Sequence, residues 1–169
     1  MEKIRFKKLR EDASTPERGS TSAAGYDLRA NNIEIDGVRF ENFAFENEDR
    51  VDANGGVKIY SGETVMVGTG LAMEIPEGYF GAIFARSGLA SKEGLRPGNC
   101  VGVVDSDYRG EIKIALHNDT QNNSSFVLKK GERIAQLVIM PYLPVEFEEV
   151  DELDTTDRGE GGFGSTGTK

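Results

Sequence analysis

Apolar residues in this chain come in short runs rich in Val, Ile, Phe and Tyr, at 63–67, 81–85, 100–104, 111–116, 126–128 and 134–140, and each is broken by glycine, proline or polar residues. That spacing reads as strands separated by turns. Within 110–117, Ile112, Ile114 and Leu116 alternate with their neighbours and so share one face of a strand. Helical periodicity is weak. The plausible short helix is 88–94, Gly-Leu-Ala-Ser-Lys-Glu-Gly, which Gly94 would end. With almost no helical layer to cover it, a sheet must close on itself or pack against another sheet. The expected class is all-β.

Two segments depart from this pattern. From about 36 to 56 the chain is polar and turn-rich, with Val38, Phe40, Phe43 and Phe45 embedded. It reads as a protruding hairpin or partly ordered insertion whose aromatics pack locally or meet a protein partner that the sequence does not name. From 146 the chain turns acidic and ends RGEGGFGSTGTK. With so few large apolar residues, this end is expected to be a mobile arm that orders when a ligand or neighbour supplies contacts. The organisation expected is one barrel domain over 1–150, carrying the insertion, and an arm over 151–169. No internal repeat or interdomain linker is apparent.

Charge and composition narrow the function. The formal net charge is -9, from 29 acidic and 20 basic residues. That argues against a nucleic-acid footprint, which needs clustered Lys and Arg, while leaving room for a small polyphosphate held by local donors. The single cysteine, Cys100, cannot close an intrachain disulfide and is expected as a small buried hydrophobe. One histidine gives no basis for a His-rich metal site. The charged start MEKIRFKKLRED lacks the apolar core of a signal peptide, and no run approaches membrane-spanning length, so no membrane is expected and the cytoplasm is the default location.

Five segments carry residues suited to phosphate chemistry, and each has a plainer alternative. In 158–167 glycines allow close backbone approach and an anion-binding nest, Arg158 and the hydroxyls of Ser165 and Thr166 add donors, and Phe163 offers a flat apolar face; the alternative is a flexible glycine-rich tail. Arg86 and Ser87 stand between a strand and the short helix, where open N–H groups favour an anion, or where a strand simply ends beside a surface arginine. Gln136 enters an apolar strand and needs a partner if buried, which a structural network or a phosphate would satisfy. Asp105 follows an apolar strand directly, as a general base would, with the Tyr108 ring nearby; an Asp-rich β-turn accounts for it equally. Asp27, between Tyr26 and Leu28, calls for a structural hydrogen bond or a metal-bound water.

Taken in order, AAGYDLRA, ARSGLA, GNCVGVVDSDYRG, GERIAQL and RGEGGFGSTG make the chain resemble the trimeric dUTP pyrophosphatase (dUTPase) family. The resemblance implies a distorted jelly-roll β-barrel, a homotrimer with sites shared between subunits, and Mg²⁺-dependent hydrolysis of dUTP to dUMP and pyrophosphate. Such an activity limits uracil incorporation into DNA and supplies dUMP for thymidylate synthesis. It implies Asp105 as the water-activating carboxylate and Tyr108 as the ring on the deoxyribose. Asn99, with the backbone of an Asn99–Tyr108 hairpin, is implied to read uracil, and Asp27 to orient the hydration shell of the metal. Arg86, Ser87, Gly88 and Gln136 are implied phosphate contacts, as are Arg158, Gly164, Ser165 and Thr166 of the arm, with Phe163 as cap over the base. The insertion is expected outside this machinery. A dCTP deaminase on the same barrel would carry arginine–serine–serine where this chain has Arg86-Ser87-Gly88, and a non-enzymatic role would fit loss of Asp105 or of the arm, both of which are present.

Overall fold

The computed structural model describes residues 3–41, 43, 48–121 and 124–162. The strands are β1 Arg5–Lys8, β2 Glu17–Arg18, β3 Tyr26–Arg29, β4 Asn32–Ile35, β5 Val38–Glu41, β6 Val57–Ile59 and β7 Thr64–Gly68. They continue with β8 Leu71–Glu74, β9 Tyr79–Ala85, β10 Leu95–Pro97, β11 Val101–Val104, β12 Lys113–Asn118, β13 Phe126–Leu128 and β14 Arg133–Pro141. Among the described residues a single α-helix, α1 Ser87–Glu93, follows β9 and stops at Gly94, whose φ of 65° lets its N–H reach back to the Leu89 carbonyl. No helix among the described residues is long and apolar enough to cross a membrane.

All strand pairings among the described residues are antiparallel. One five-stranded sheet runs β10-β12-β7-β4-β5 and the other β11-β9-β14-β3-β2, with the ribbons β1-β8 and β13-β6 beside them. The two inner faces meet in one core that includes Leu28, Ile33, Val67, Leu116, Ile134 and Leu137. Ile112, Ile114 and Leu116 are all buried, as their alternation requires. The all-β, jelly-roll-like expectation is met by two facing sheets, whose hydrogen bonding does not run continuously around a closed barrel among the described residues.

Among the described residues of the 36–56 segment, which do not include Phe45, the chain joins the main sheet rather than standing apart. Asp36 and Gly37 both take positive φ, 52° and 76°, and join β4 to β5 as a two-residue hairpin turn of the I′ kind. β5 thereby becomes an edge strand of the first sheet. Phe43, expected to pack locally, is 4% exposed within the main core. Beyond it, Arg50 pairs with Glu63 at 2.8 Å and lies over the Tyr60 ring at 4.8 Å, closing the segment back onto the body.

Glu111, just before β12, ties three parts of this sheet together. One carboxylate oxygen accepts from Asn32 Nδ2 at 2.7 Å and from the Gly70 N–H at 2.8 Å, and the other meets Arg39 Nη2 at 2.5 Å. Burial alone would push this carboxyl up, but the bonds from Asn32 and Gly70, then the bond and charge of Arg39, outweigh it and hold it below its ordinary value. A group held down in the folded state stabilises the fold above its unfolded value and ceases to do so as pH falls through the folded one. Glu111→Gln should therefore lower Tm more at pH 7 than at pH 3, measured by thermal unfolding of both proteins. Equal losses at the two pH values would show that ionisation of Glu111 contributes nothing.

Candidate active site

Asp27 sits in β3 with only 8% of its side chain exposed, and a carboxylate so placed needs charged partners. Oδ1 accepts from Arg86 Nε and Oδ2 from Arg133 Nη1, each at 3.1 Å. Arg86 is the residue after β9 and also donates from Nη1 to the Arg133 carbonyl at 3.2 Å. β14 lies between β9 and β3, so Gln136 stands opposite Phe84 on one side and Asp27 on the other. Its side chain rests on Gly25, where a Cβ would come within 3.3 Å. Exposed Glu17 of β2 is the other cross-strand neighbour of Asp27.

Arg133 joins this cluster because β14 carries a bulge. Register shifts between Arg133 and Ala135, so that Arg133 rather than Ile134 opposes Arg29. Arg29 shares a face with Asp27, two residues earlier, and the extra residue re-aims Arg133 onto that face while Ile134 stays fully buried. Plain alternation from Gln136 would have placed Arg133 on the other face, and the sequence reading did not single it out.

Chemically, the result is a carboxylate that fixes two guanidiniums before any ligand arrives. Each guanidinium has five N–H donors. Arg86 spends two on Asp27 and the Arg133 carbonyl, and it and Arg133 keep 24% and 44% of their side chains exposed. Ser87 and Gly88 follow directly, exposed, at the start of α1. No side chain caps that first turn, because the guanidinium at the N-cap has no acceptor to offer. Asp27, the sequence's candidate for a metal-bound water, is thus in an ion-pair network.

The other candidate residues lie elsewhere. Asp105 follows β11 and is exposed, at an open cleft of about 560 Å³ lined by Phe80, Val103, Ser106, Asp107 and Tyr142 as well. Tyr108 turns back over Gly110 and donates its hydroxyl to the Glu111 carbonyl at 3.0 Å. A Cβ at Gly110 would come within 2.4 Å of that hydroxyl, so the ring can take this position only over glycine. Val104 is opposite Gly81, which puts Asp105 beside Phe80. At about 3.3 Å per residue, the six-residue step along the chain from Phe80 to Arg86 separates the Asp105 end of β11 from the arginine cluster by ~20 Å.

The Asn99–Tyr108 segment is not the closed hairpin expected. Gly98 still bonds to the Ala115 carbonyl beside β12, but β11 then pairs with β9 in the other sheet. The chain changes sheets here, so exposed Asn99 lies at the opposite end of β11 from Asp105. Cys100 is at the crossing with φ 62° and is exposed, not a buried hydrophobe as expected, because a left-handed turn points it away from both sheets. Arg158 is exposed and donates to the Gly161 carbonyl within the arm at 2.7 Å. Phe163, Gly164, Ser165 and Thr166 lie outside the described residues.

A family model described as dUTPase matches residues 51–167. The deoxyuridine 5'-triphosphate nucleotidohydrolase of Hydrogenobaculum sp. (strain Y04AAS1) is 44% identical over 167 residues, covering 99% of this chain and 99% of that protein. The enzyme of the same name from Nautilia profundicola is 45% identical over 165 residues, covering 98% and 99%. Among solved structures, the Staphylococcus bacteriophage 80alpha dUTPase with dUPNHPP superposes with a TM-score of 0.78 at 30% identity, covering 99% of each chain. With a family match over most of its length and full-length relatives at this identity, the chain belongs to the dUTPase family.

Proposed function

We propose that the chain hydrolyses dUTP to dUMP and pyrophosphate, with Asp105 taking a proton from the water that attacks the α-phosphorus. The observation that carries this reading is the pair of guanidiniums fixed by Asp27, a receptor for a polyanion on a chain whose net charge is otherwise -9. Arg86, Ser87, Gly88 and Gln136 bind the triphosphate, and Arg133 belongs with them. As the water oxygen bonds to the α-phosphorus, the bond to the β-phosphate oxygen breaks, pyrophosphate leaves, and the water's proton goes to the Asp105 carboxylate. Tyr108 packs against the deoxyribose and leaves no room for a 2′-hydroxyl. Asn99 and the backbone around it read the uracil edge, where a wrong base would leave buried polar groups unpaired. The product supplies thymidylate synthesis, and removing the substrate limits uracil in DNA.

The donor set fits Mg²⁺ that arrives with the substrate. Among the described residues no group of three or more His, Cys, Asp or Glu side chains is placed to hold a metal directly. Asp27 keeps acceptor capacity beyond its two arginine bonds, and Glu17 stands opposite it, a pair suited to receive metal-bound waters. Bound there through water to Asp27, the ion would neutralise phosphate charge and align the chain for in-line displacement.

The ~20 Å between Asp105 and Arg86 exceeds the length of a triphosphate, so a working site takes its base and its phosphate receptor from different chains, as a homotrimer allows. The segment after β14 supports such an assembly. It leaves the sheets at Pro141 and holds Leu143, Phe147 and Leu153 at 81%, 97% and 86% exposure, apolar surface that a neighbour would cover. The glycine-rich arm then closes over a neighbour's site, with Arg158, Gly164, Ser165 and Thr166 on the phosphates and Phe163 over the base, excluding water.

Three measurements test this reading. Asp105→Asn should retain nucleotide binding and lose roughly 10²–10⁴-fold in turnover, the usual weight of a general base, in a pyrophosphate-release assay. Near wild-type turnover would assign the base elsewhere. Tyr108→Ala should narrow the dUTP-to-UTP ratio of kcat/KM, and an unchanged ratio would remove the ring from sugar selection. Exchanging subunits between inactive Asp105→Asn and inactive Arg86→Gln oligomers should restore activity, because some mixed sites regain both intact residues. Continued inactivity, with mixed oligomers seen by native mass spectrometry, would place base and receptor in one chain.

A further inference from the structure

The 36–56 segment was expected to stand apart from the catalytic machinery, yet its strand reaches the residue that anchors Tyr108. Arg39 of β5 contacts one oxygen of the Glu111 carboxylate at 2.5 Å, while Asn32 of β4 and the Gly70 N–H hold the other. The Glu111 side chain is 7% exposed and that of Arg39 34%, so the pair is shielded on the carboxylate side. Asn32 and Glu111 cross above Gly68, where a Cβ would come within 2.4 Å of the Asn32 oxygen and 2.5 Å of Glu111 Oε1. On the main-chain side, the carbonyl of Glu111 accepts the Tyr108 hydroxyl at 3.0 Å. The next residue is fixed as well, since the Ile112 N–H bonds to the Leu71 carbonyl at 2.8 Å.

Between Val104 and Glu111 the turn is stabilised by short-range bonds, Tyr108 N–H to the Asp105 carbonyl and Arg109 Nη1 to the Ser106 carbonyl. The Tyr108 hydroxyl connects that turn to the sheet through Glu111. Steric rejection of one hydroxyl group demands a ring held to within a few tenths of an ångström, and a ring on a loosened anchor gives way.

We infer that Arg39 is a positioning residue for sugar selection: by clamping the Glu111 carboxylate it fixes the carbonyl that holds the Tyr108 ring, and so sets the space left at the 2′ position. The inference rests on the reading of Tyr108 as the deoxyribose platform. It makes the strand contributed by the 36–56 segment part of the specificity apparatus. Asn32 and Gly70 still hold Glu111 when Arg39 is changed, so the fold survives and the effect falls on selectivity.

The test is a mutant cycle on the full-length chain, with kcat/KM for dUTP and for UTP read from pyrophosphate release. Arg39→Gln should lower the dUTP-to-UTP ratio by about threefold or more, and Arg39→Lys should restore most of it. Tyr108→Phe, which removes the hydroxyl alone, should lower the ratio similarly. Adding Arg39→Gln to Tyr108→Phe should change it by less than about twofold, because residues acting through one bond are not additive. An unchanged ratio in Arg39→Gln, even with a lower Tm, would overturn the inference, as would two effects that multiply. Tyr108→Ala separates the two levels. If it leaves the ratio intact, the sugar reading itself fails, whereas if it collapses the ratio and Arg39→Gln does not, the role of Arg39 alone falls.

Discussion

A sheet with no helical layer must find cover for its apolar face in another sheet, and nearly everything in this chain follows from that requirement. Side chains from β12, β7 and β4 meet those from β9, β14 and β3, and the positions between the sheets are filled by aliphatic residues. Little interior remains for polar chemistry. The residues that can act on a substrate are therefore at strand ends, at the edge beside β11 and in the turns. The seven-residue helix has no fully buried residue and reaches the core only with half-buried Leu89.

Asp27 is one exception, a carboxylate nearly enclosed by the second sheet. Removing a charge from water is costly unless partners compensate, and here Arg86 and Arg133 do so from the two adjoining strand ends. The compensation runs both ways. The guanidiniums hold the carboxylate in the sheet, and the carboxylate fixes their planes, so the proposed polyanion would be spared the entropy of ordering two long side chains. Stability and the proposed recognition thus draw on the same three residues. On the other face of the fold, Glu111 has a comparable position, with Asn32, Gly70 and Arg39 around its carboxylate.

The strands with strong apolar character were legible in the sequence. The runs at 81–85, 126–128 and 134–140 fall within or on Tyr79–Ala85, Phe126–Leu128 and Arg133–Pro141, because burial on at least one face imposes a visible pattern. β1 was not, since Arg5–Lys8 is exposed along its length and carries no apolar alternation. The hairpin at Asp36-Gly37 was legible, but the surrounding polarity hid that its second strand joins the main sheet as an edge. Cys100 misled because its apolar neighbours suggest a strand interior, whereas the chain is crossing between sheets there. In the candidate site, Asp27, Arg86 and Gln136 do come together. Arg133 could not be read, because its placement depends on a register shift that only strand pairing creates.

That shift has a consequence for how the chain tolerates changes of length. Side chains in a strand alternate with strict parity, so the gain or loss of one residue ordinarily exchanges inside for outside along the whole segment. β14 already contains one such odd residue, absorbed at Ile134, which goes into the core while Arg133 and Gln136 both keep the Asp27 face. Deleting that residue would straighten the ladder and leave Arg133 and Gln136 two apart on the Asp27 face, but it would take the Ile134 side chain out of the core. The irregularity is thus what reconciles two incompatible parities, that of the hydrophobic interior and that of the charged surface, within a single nine-residue strand.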